Sequence, residues 1–231
     1  YQQALREHDR SAVMVLIRGI FAELRERFPY ERISEFLAEI ENDLLEHLHL
    51  FVAEPQENPA QMEHRLALLH ERLRYYGVNL IVDNSQTECA PVIVETTPTY
   101  ANLFGTIDRV SDGRGLWSAD YSSIRAGSVL RVGQGYLILN ALDVLLQPGV
   151  WAMLKNVLLY GTLDIQAWDP LFALLPTGIK PEPITVRLKV ILLGPAELYT
   201  VLHVLDEDFP KMFKVHAQFD TEAPRSAEMV L

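Results

Sequence analysis

The first third of the chain is written in helical period. Over residues 3–28, Val13, Leu16, Ile20 and Leu24 recur three or four apart, Arg25, Glu26 and Arg27 follow, and Pro29 closes the segment. That spacing predicts an amphipathic helix. Residues 30–53 predict a second: Ile33, Leu37, Ile40, Leu44 and Leu48 form a stripe, with Glu35, Glu39, Glu41 and Asp43 largely off it. The turn Pro55-Gln56-Glu57-Asn58-Pro59 leads to a third over residues 60–75, striped by Met62, Leu66, Leu69 and Leu73 and ended by Gly77. Three such helices must hide their stripes against one another or against a partner. The expectation is a helical bundle or a projecting helical hairpin over residues 1–77.

From Val78 the period changes. Val78–Val82 and Pro91–Glu95 are short apolar runs, and Tyr136-Leu137-Ile138-Leu139, set off by Gly133 and Gly135, is the strongest. A continuous apolar run of this length predicts a strand buried on both faces, as in parallel α/β sheets. It ends at Asn140, where open α/β sheets place ligand chemistry. Asp143 follows, as the expected cap of a helix running through Val144, Leu145, Trp151, Leu154 and Leu158. Gly161–Gln166 reads as a turn into a short strand, 168–183 as a proline-rich loop, and Ile184–Leu193 as one core strand closed by Gly194-Pro195. A helix over Ala196–Leu205 and a last strand over Phe213–Phe219 complete an α/β region spanning residues 78–231.

Composition narrows the classes. With 49% hydrophobic residues the chain can bury a core, and its net charge of −11 argues against a nucleic-acid partner. The single cysteine, Cys89, excludes an internal disulfide and is expected to be a buried free thiol. No apolar run reaches membrane-spanning length and no signal peptide opens the chain, so no membrane partner is expected and a cytoplasmic location is. A first residue Tyr1 inside a helical pattern gives the expectation of a piece of a longer protein. His47 and His49 are two apart, so on one helix they point different ways. His64 and His70 are six apart, and no metal site is expected.

Three segments carry a resemblance. Arg125-Ala126-Gly127-Ser128-Val129-Leu130-Arg131, followed by Gly135-Tyr136-Leu137-Ile138-Leu139-Asn140, is similar to the Walker B segment in the AAA+ module of Lon-related proteases. Thr97-Pro98-Thr99-Tyr100-Ala101-Asn102-Leu103-Phe104-Gly105-Thr106-Ile107-Asp108, and the tail from Asp206 through Phe213-Lys214-Val215-His216-Ala217-Gln218-Phe219, resemble further segments of the same branch. The matches span roughly residues 78–225. The resemblance implies a fold of the α/β class with an N-terminal all-α part: a helical, substrate-recruiting insert followed by an incomplete AAA+-like sheet domain. It implies a parent that is an ATP-dependent Lon-type serine endopeptidase, assembled as a homo-oligomeric ring, possibly of six subunits, that degrades unfolded or partly folded proteins. It also puts Leu116, Trp117 and Tyr121, after the glycine-rich Asp112-Gly113-Arg114-Gly115, on a pore loop that grips substrate; the alternative is that Trp117 packs into its own domain.

The family implies ATP and magnesium, and here the chain departs from it. None of its five lysines follows a glycine, so no phosphate loop of the G-K-[ST] type exists within these residues. The Walker B acid is replaced by Asn140, a poorer magnesium ligand, and the water-activating Glu by Ala141; Asp143, one turn on, is the one substitute nearby. The sensor position corresponds to Gly194, and the arginine-finger region reads Pro210-Lys211-Met212-Phe213. No serine has the surroundings of the Lon-type nucleophile, so catalytic residues are expected in the parent, not here. Two functions remain: a substrate-binding and gating segment that does not itself hydrolyse ATP or peptide bonds, or a structural or nucleotide-sensing scaffold.

Overall fold

The computed structural model of the chain describes residues 2–52, 57–108, 110–111, 117–166 and 179–220, and divides into two compact units, Tyr1–Val78 and Asn79–Leu231.

The first unit is helical. α1 (Gln2–Arg27) stops before Pro29, and α2 (Glu31–Glu46) pairs with it through Arg25 Nη2, 2.7 Å from Glu41 Oε2. The single helix expected over 30–53 is broken at His47 (φ −103°, ψ 19°), after which α3 (Leu48–Phe51) restarts. Local and distant partners meet there. The His47 ring lies 2.9 Å from the Asp43 carbonyl, four residues back, and 3.0 Å from Arg72 Nη2, and the His47 N–H also donates to the Asp43 carbonyl. The break also corrects the reading of the histidines, since the His47 and His49 ring centroids come within 6.2 Å. α4 (Pro59–Tyr75) opens with a reciprocal cap, in which Asn58 and Gln61 each accept the other's backbone N–H. Phe21, Leu37 and Leu50 are buried, but Val15, Leu16, Ile20, Met62, Leu66 and Leu73 stay exposed, so the stripes are only partly covered.

The second unit is built on a parallel sheet. In chain order it contains β1 (Val92–Glu95), α5 (Tyr100–Phe104), β2 (Thr106–Ile107), β3 (Val110–Ser111), β4 (Trp117–Ser118), β5 (Ile124–Arg125), α6 (Ser128–Arg131) and β6 (Tyr136–Asn140). α7 (Ala141–Leu146), α8 (Val150–Tyr160), β7 (Thr162–Leu163), β8 (Ile184–Thr185), β9 (Lys189–Leu193), α9 (Ala196–Leu205) and α10 (Phe209–Met212) follow. The sheet order is β1-β6-β9, all parallel, with Val94 opposite Ile138 and Ile138 opposite Ile191. Leu137 and Leu139 of β6 are buried against Leu103, Phe104, Val129, Val144, Val150, Leu154 and Val157. Each such side chain contributes about 1.5–3 kcal/mol relative to exposure.

Several expectations are corrected here. β6 is not buried on both faces: Ile138 and Tyr136 are half-buried, and on their side of the sheet Val92, Val94, Ile191 and Leu193 are exposed, because the packed helices gather on the Leu137–Leu139 face. The helix expected through Asp143 and Leu158 is two helices, divided at Pro148-Gly149, with Gly149 at φ +75°. Ile184–Leu193 is not one strand. β8 pairs antiparallel with β7 and β9 parallel with β6, and one straight strand cannot serve both partners. Val78–Val82 forms no strand; Ile81 and Val82 pack on the core from an irregular segment. Phe213–Phe219 forms none either, for it docks by rings, Phe213 on Phe209 and His216 on Tyr199 (centroids 3.8 Å apart), leaving Val215 and Phe219 exposed. Cys89 is exposed, on the polar connection before β1 rather than under it. Among the described residues no helix is long and apolar enough to cross a membrane.

Candidate functional site

The carboxyl edge of the parallel sheet collects the ends of β1, β6 and β9. At the end of β6, Asn140 is exposed, and its side-chain oxygen accepts the backbone N–H of Leu142 (2.9 Å) and of Asp143 (3.3 Å). Asn140, not Asp143, is therefore the cap of α7, and Asp143 is a half-buried residue of its first turn. Ala141 is buried, and a Cβ on Gly194 would stand 3.3 Å from the Ala141 methyl. The ends of β6 and β9 thus abut through two residues without polar side chains. At the end of β1, Glu95 is bound on both sides: Ser128 Oγ donates to it at 2.5 Å, and Arg131 lies 3.7 Å away and also donates to Ser128 Oγ. Ser128 is fully buried. A carboxylate at a strand end and a serine opening a helix were visible in the sequence, but not their pairing across 33 residues.

The donor set at this edge does not fit a hydrolytic magnesium–ATP site. The Asn140 oxygen serves the helix, Ala141 offers no base, and Glu95 is held by Ser128 and Arg131. Among the described residues the one group of His and carboxylate side chains close enough to share a metal is Asp43, Glu46 and His47, in the helical unit. Its cation is already supplied. Arg72 Nε is 2.8 Å from Asp43 Oδ2, its Nη2 binds Asp43 Oδ1, and the Tyr76 hydroxyl donates to Asp43 at 2.6 Å. Burial works to raise the Asp43 pKa, but the Tyr76 hydroxyl and the Arg72 guanidinium outweigh it and hold the carboxyl below its usual range. Burial and the Asp43 charge push Tyr76 up to about 12.

The second candidate region is the hairpin between α5 and α6. β2 pairs antiparallel with β5 (Ile107 opposite Ile124), and farther out β3 pairs with β4 (Ser111 opposite Trp117). Its neck is glycine. A Cβ on Gly127 would lie 2.3 Å from the Leu103 carbonyl oxygen, and one on Gly105 (φ +90°) 2.3 Å from that of Arg125. Trp117 lies in the outer rung, and Tyr121 opens a half-buried turn capped by Asp120, whose carboxylate accepts the Ser122 N–H at 2.9 Å. Leu116 lies outside the described residues. Arg125 and Asp108 pair at 3.1 Å across the hairpin, and the Asn79 carboxamide donates to the carbonyls of Tyr121 (2.8 Å) and Ile124 (3.1 Å). Asn79 has no signal in the sequence, where it reads only as one polar position inside the apolar run Val78–Val82.

The family model described as LonB-like, AAA domain matches residues 88–220. No protein with a curated description matches the chain. The matched span takes in the parallel sheet, its carboxyl edge and the hairpin, and it is more than half of the sequence. This chain therefore belongs to the LonB-like AAA domain family, the AAA+-type module of Lon-type protein degradation.

Proposed function

We propose that this chain is the substrate-engaging and gating part of a Lon-type protease, and that it hydrolyses neither ATP nor peptide bonds itself. The observation that carries this reading is the two-rung hairpin, whose outer rung contains Trp117 and whose neck is glycine with no room for a side chain. An aromatic on a loop anchored by a rigid scaffold suits capture of an extended polypeptide, because one large ring contributes contact without sequence specificity. The neutral end of β6 supports the second half of the reading, since Asn140 and Ala141 supply neither the metal carboxylate nor the base that γ-phosphate hydrolysis needs. In the intact protein a ring of subunits, six in number, would bring the hairpins together around one axis, with Leu116, Trp117 and Tyr121 as the residues that contact substrate, and the peptidase would lie in another part of the parent. The partly covered stripes of α1 and α4 suit a role in recruiting unfolded protein. The setting is the cytoplasm.

The test is binding of fluorescein-labelled casein, an unfolded polypeptide, by the chain and its Trp117→Ala variant, with ATP turnover measured alongside. The expected result is casein binding that weakens at least about fivefold in the variant, with no ATP turnover by either. Unchanged casein binding would favour the scaffold reading, and ATP turnover would overturn the inactive edge.

A further inference from the structure

We propose that Asn79 is the positioning residue of the hairpin, the group that fixes how the outer rung bearing Trp117 is presented. The proposal rests on the reading of that hairpin as the substrate-gripping element, and it names a residue that neither the family match nor the motifs single out.

The hairpin needs a tie at this place. The rungs β2–β5 and β3–β4 are two residues long each, too short to hold a projecting ribbon by their own ladders. Between them on the return limb, the turn Tyr121–Ser123 interrupts the ladder, and the Tyr121 carbonyl accepts the Ile124 N–H that closes the turn. The Asn79 side chain adds a tie from outside the ribbon at this interruption. Its single amide nitrogen donates one hydrogen to each carbonyl, at 2.8 and 3.1 Å, from 42 and 45 residues away. Both partners are acceptors, so the amide orientation is settled by the contacts. Only a side chain with two N–H groups on one short arm can do this. Aspartate has the same size and no donor, and would set a negative charge against two carbonyl oxygens. Asn79 is itself held: it is half-buried, and two residues on, Ile81 and Val82 pack on the core of the same unit. The carboxamide therefore links a fixed strip of chain to the joint between the inner and outer rungs.

The test uses the full chain with Asn79→Asp, and Asn79→Ala as a second variant that removes the donor without adding charge. Amide hydrogen exchange is followed peptide by peptide, together with casein binding. The expected result is exchange accelerated about tenfold or more over residues 106–108 and 120–125, the scale of losing two neutral hydrogen bonds, with β6 and α8 unchanged. Casein binding should weaken about threefold or more in both variants. Exchange that stays at the wild-type rate in the hairpin overturns the proposal. So does acceleration spread equally over β6 and α8, which makes Asn79 a general stability residue. Local acceleration with casein binding insensitive to both Asn79→Ala and Trp117→Ala leaves the positioning role standing and overturns the substrate reading of the hairpin instead.

Discussion

Replacing Asn140 by alanine separates a structural role from a ligand role at the position where a Walker B acid would stand. Its side-chain oxygen satisfies two backbone N–H groups, at 2.9 and 3.3 Å, of the first turn of α7. Loss of such a cap costs about 1 kcal/mol, toward the lower half of the usual range because Asn140 is exposed and water replaces part of the bond. Asn140→Asp keeps the cap and adds a negative charge at a helix N-terminus, worth about 0.3–1 kcal/mol, against which Asp143 on the same turn repels it; the two nearly cancel. All three tryptophans, Trp117, Trp151 and Trp168, belong to the second unit, so their fluorescence follows its unfolding alone. With a urea dependence of about 1–3 kcal/mol per molar, the alanine variant should unfold about 0.3–1 M earlier. The aspartate variant should stay within about 0.3 M of wild type. An alanine variant with an unmoved midpoint but lost nucleotide binding, measured by calorimetry with ATP and magnesium, would refute the cap and make the carboxamide a ligand.

Gly127→Ala should lower the unfolding temperature of the second unit by several degrees, since its Cβ would meet the Leu103 carbonyl at 2.3 Å and neither backbone can yield cheaply; differential scanning calorimetry reads this directly. Restoring the acid and base together, Asn140→Asp with Ala141→Glu, should yield no ATP turnover in a phosphate-release assay and should destabilise by about 1–3 kcal/mol, because Ala141 is buried against Gly194. Tyr76, raised to about 12 from an unfolded value near 10, contributes stability to the helical unit that is complete below pH 10 and is lost as pH rises toward 12. Asp43, lowered, contributes stability present above an unfolded value near 3.9 and lost as pH falls below it. Far-ultraviolet circular dichroism of the chain against pH should show both limbs, and Tyr76→Phe should remove the alkaline one.

What the sequence made legible was whatever a period or a punctuating residue encodes. The stripe through Leu37 and Leu44 gave α2, the turn ending at Pro59 placed the start of α4 to within one residue, and the run Tyr136–Leu139 gave the central strand of a parallel sheet. What stayed hidden depends on partners distant in sequence. The α2 helix ends at His47, whose ring meets Arg72, 25 residues on, and no local signal announces that contact. The split of Ile184–Leu193 follows from β7 and β6 competing for neighbouring residues of one apolar run. Cys89 was misread because cysteine is commonly buried, while the polar residues around it already spoke for a surface connection. At the candidate site the losses at Asn140, Ala141 and Gly194 were legible one by one, but the use made of Asn140 was not, because capping is a property of the backbone beside it.

That use bears on how such a module changes its work. A carboxylate at the end of β6 would have to face a metal, yet α7 needs an acceptor at the same point for two orphan N–H groups. Asparagine resolves the conflict in favour of the helix. Ala141 lies beside Gly194, and Glu95 is held by Ser128 and Arg131, so these side chains at the carboxyl edge are engaged within the fold. The neck of the hairpin admits no side chain at Gly105 or Gly127, and Asn79 ties its joint. Polar side chains at both places are engaged within the fold, Asn140 and Glu95 at the sheet edge and Asn79 at the hairpin. On the proposed substrate-gripping reading, a pull on the hairpin would pass through β2, β5 and the core beneath them, and the module would need no chemical step of its own.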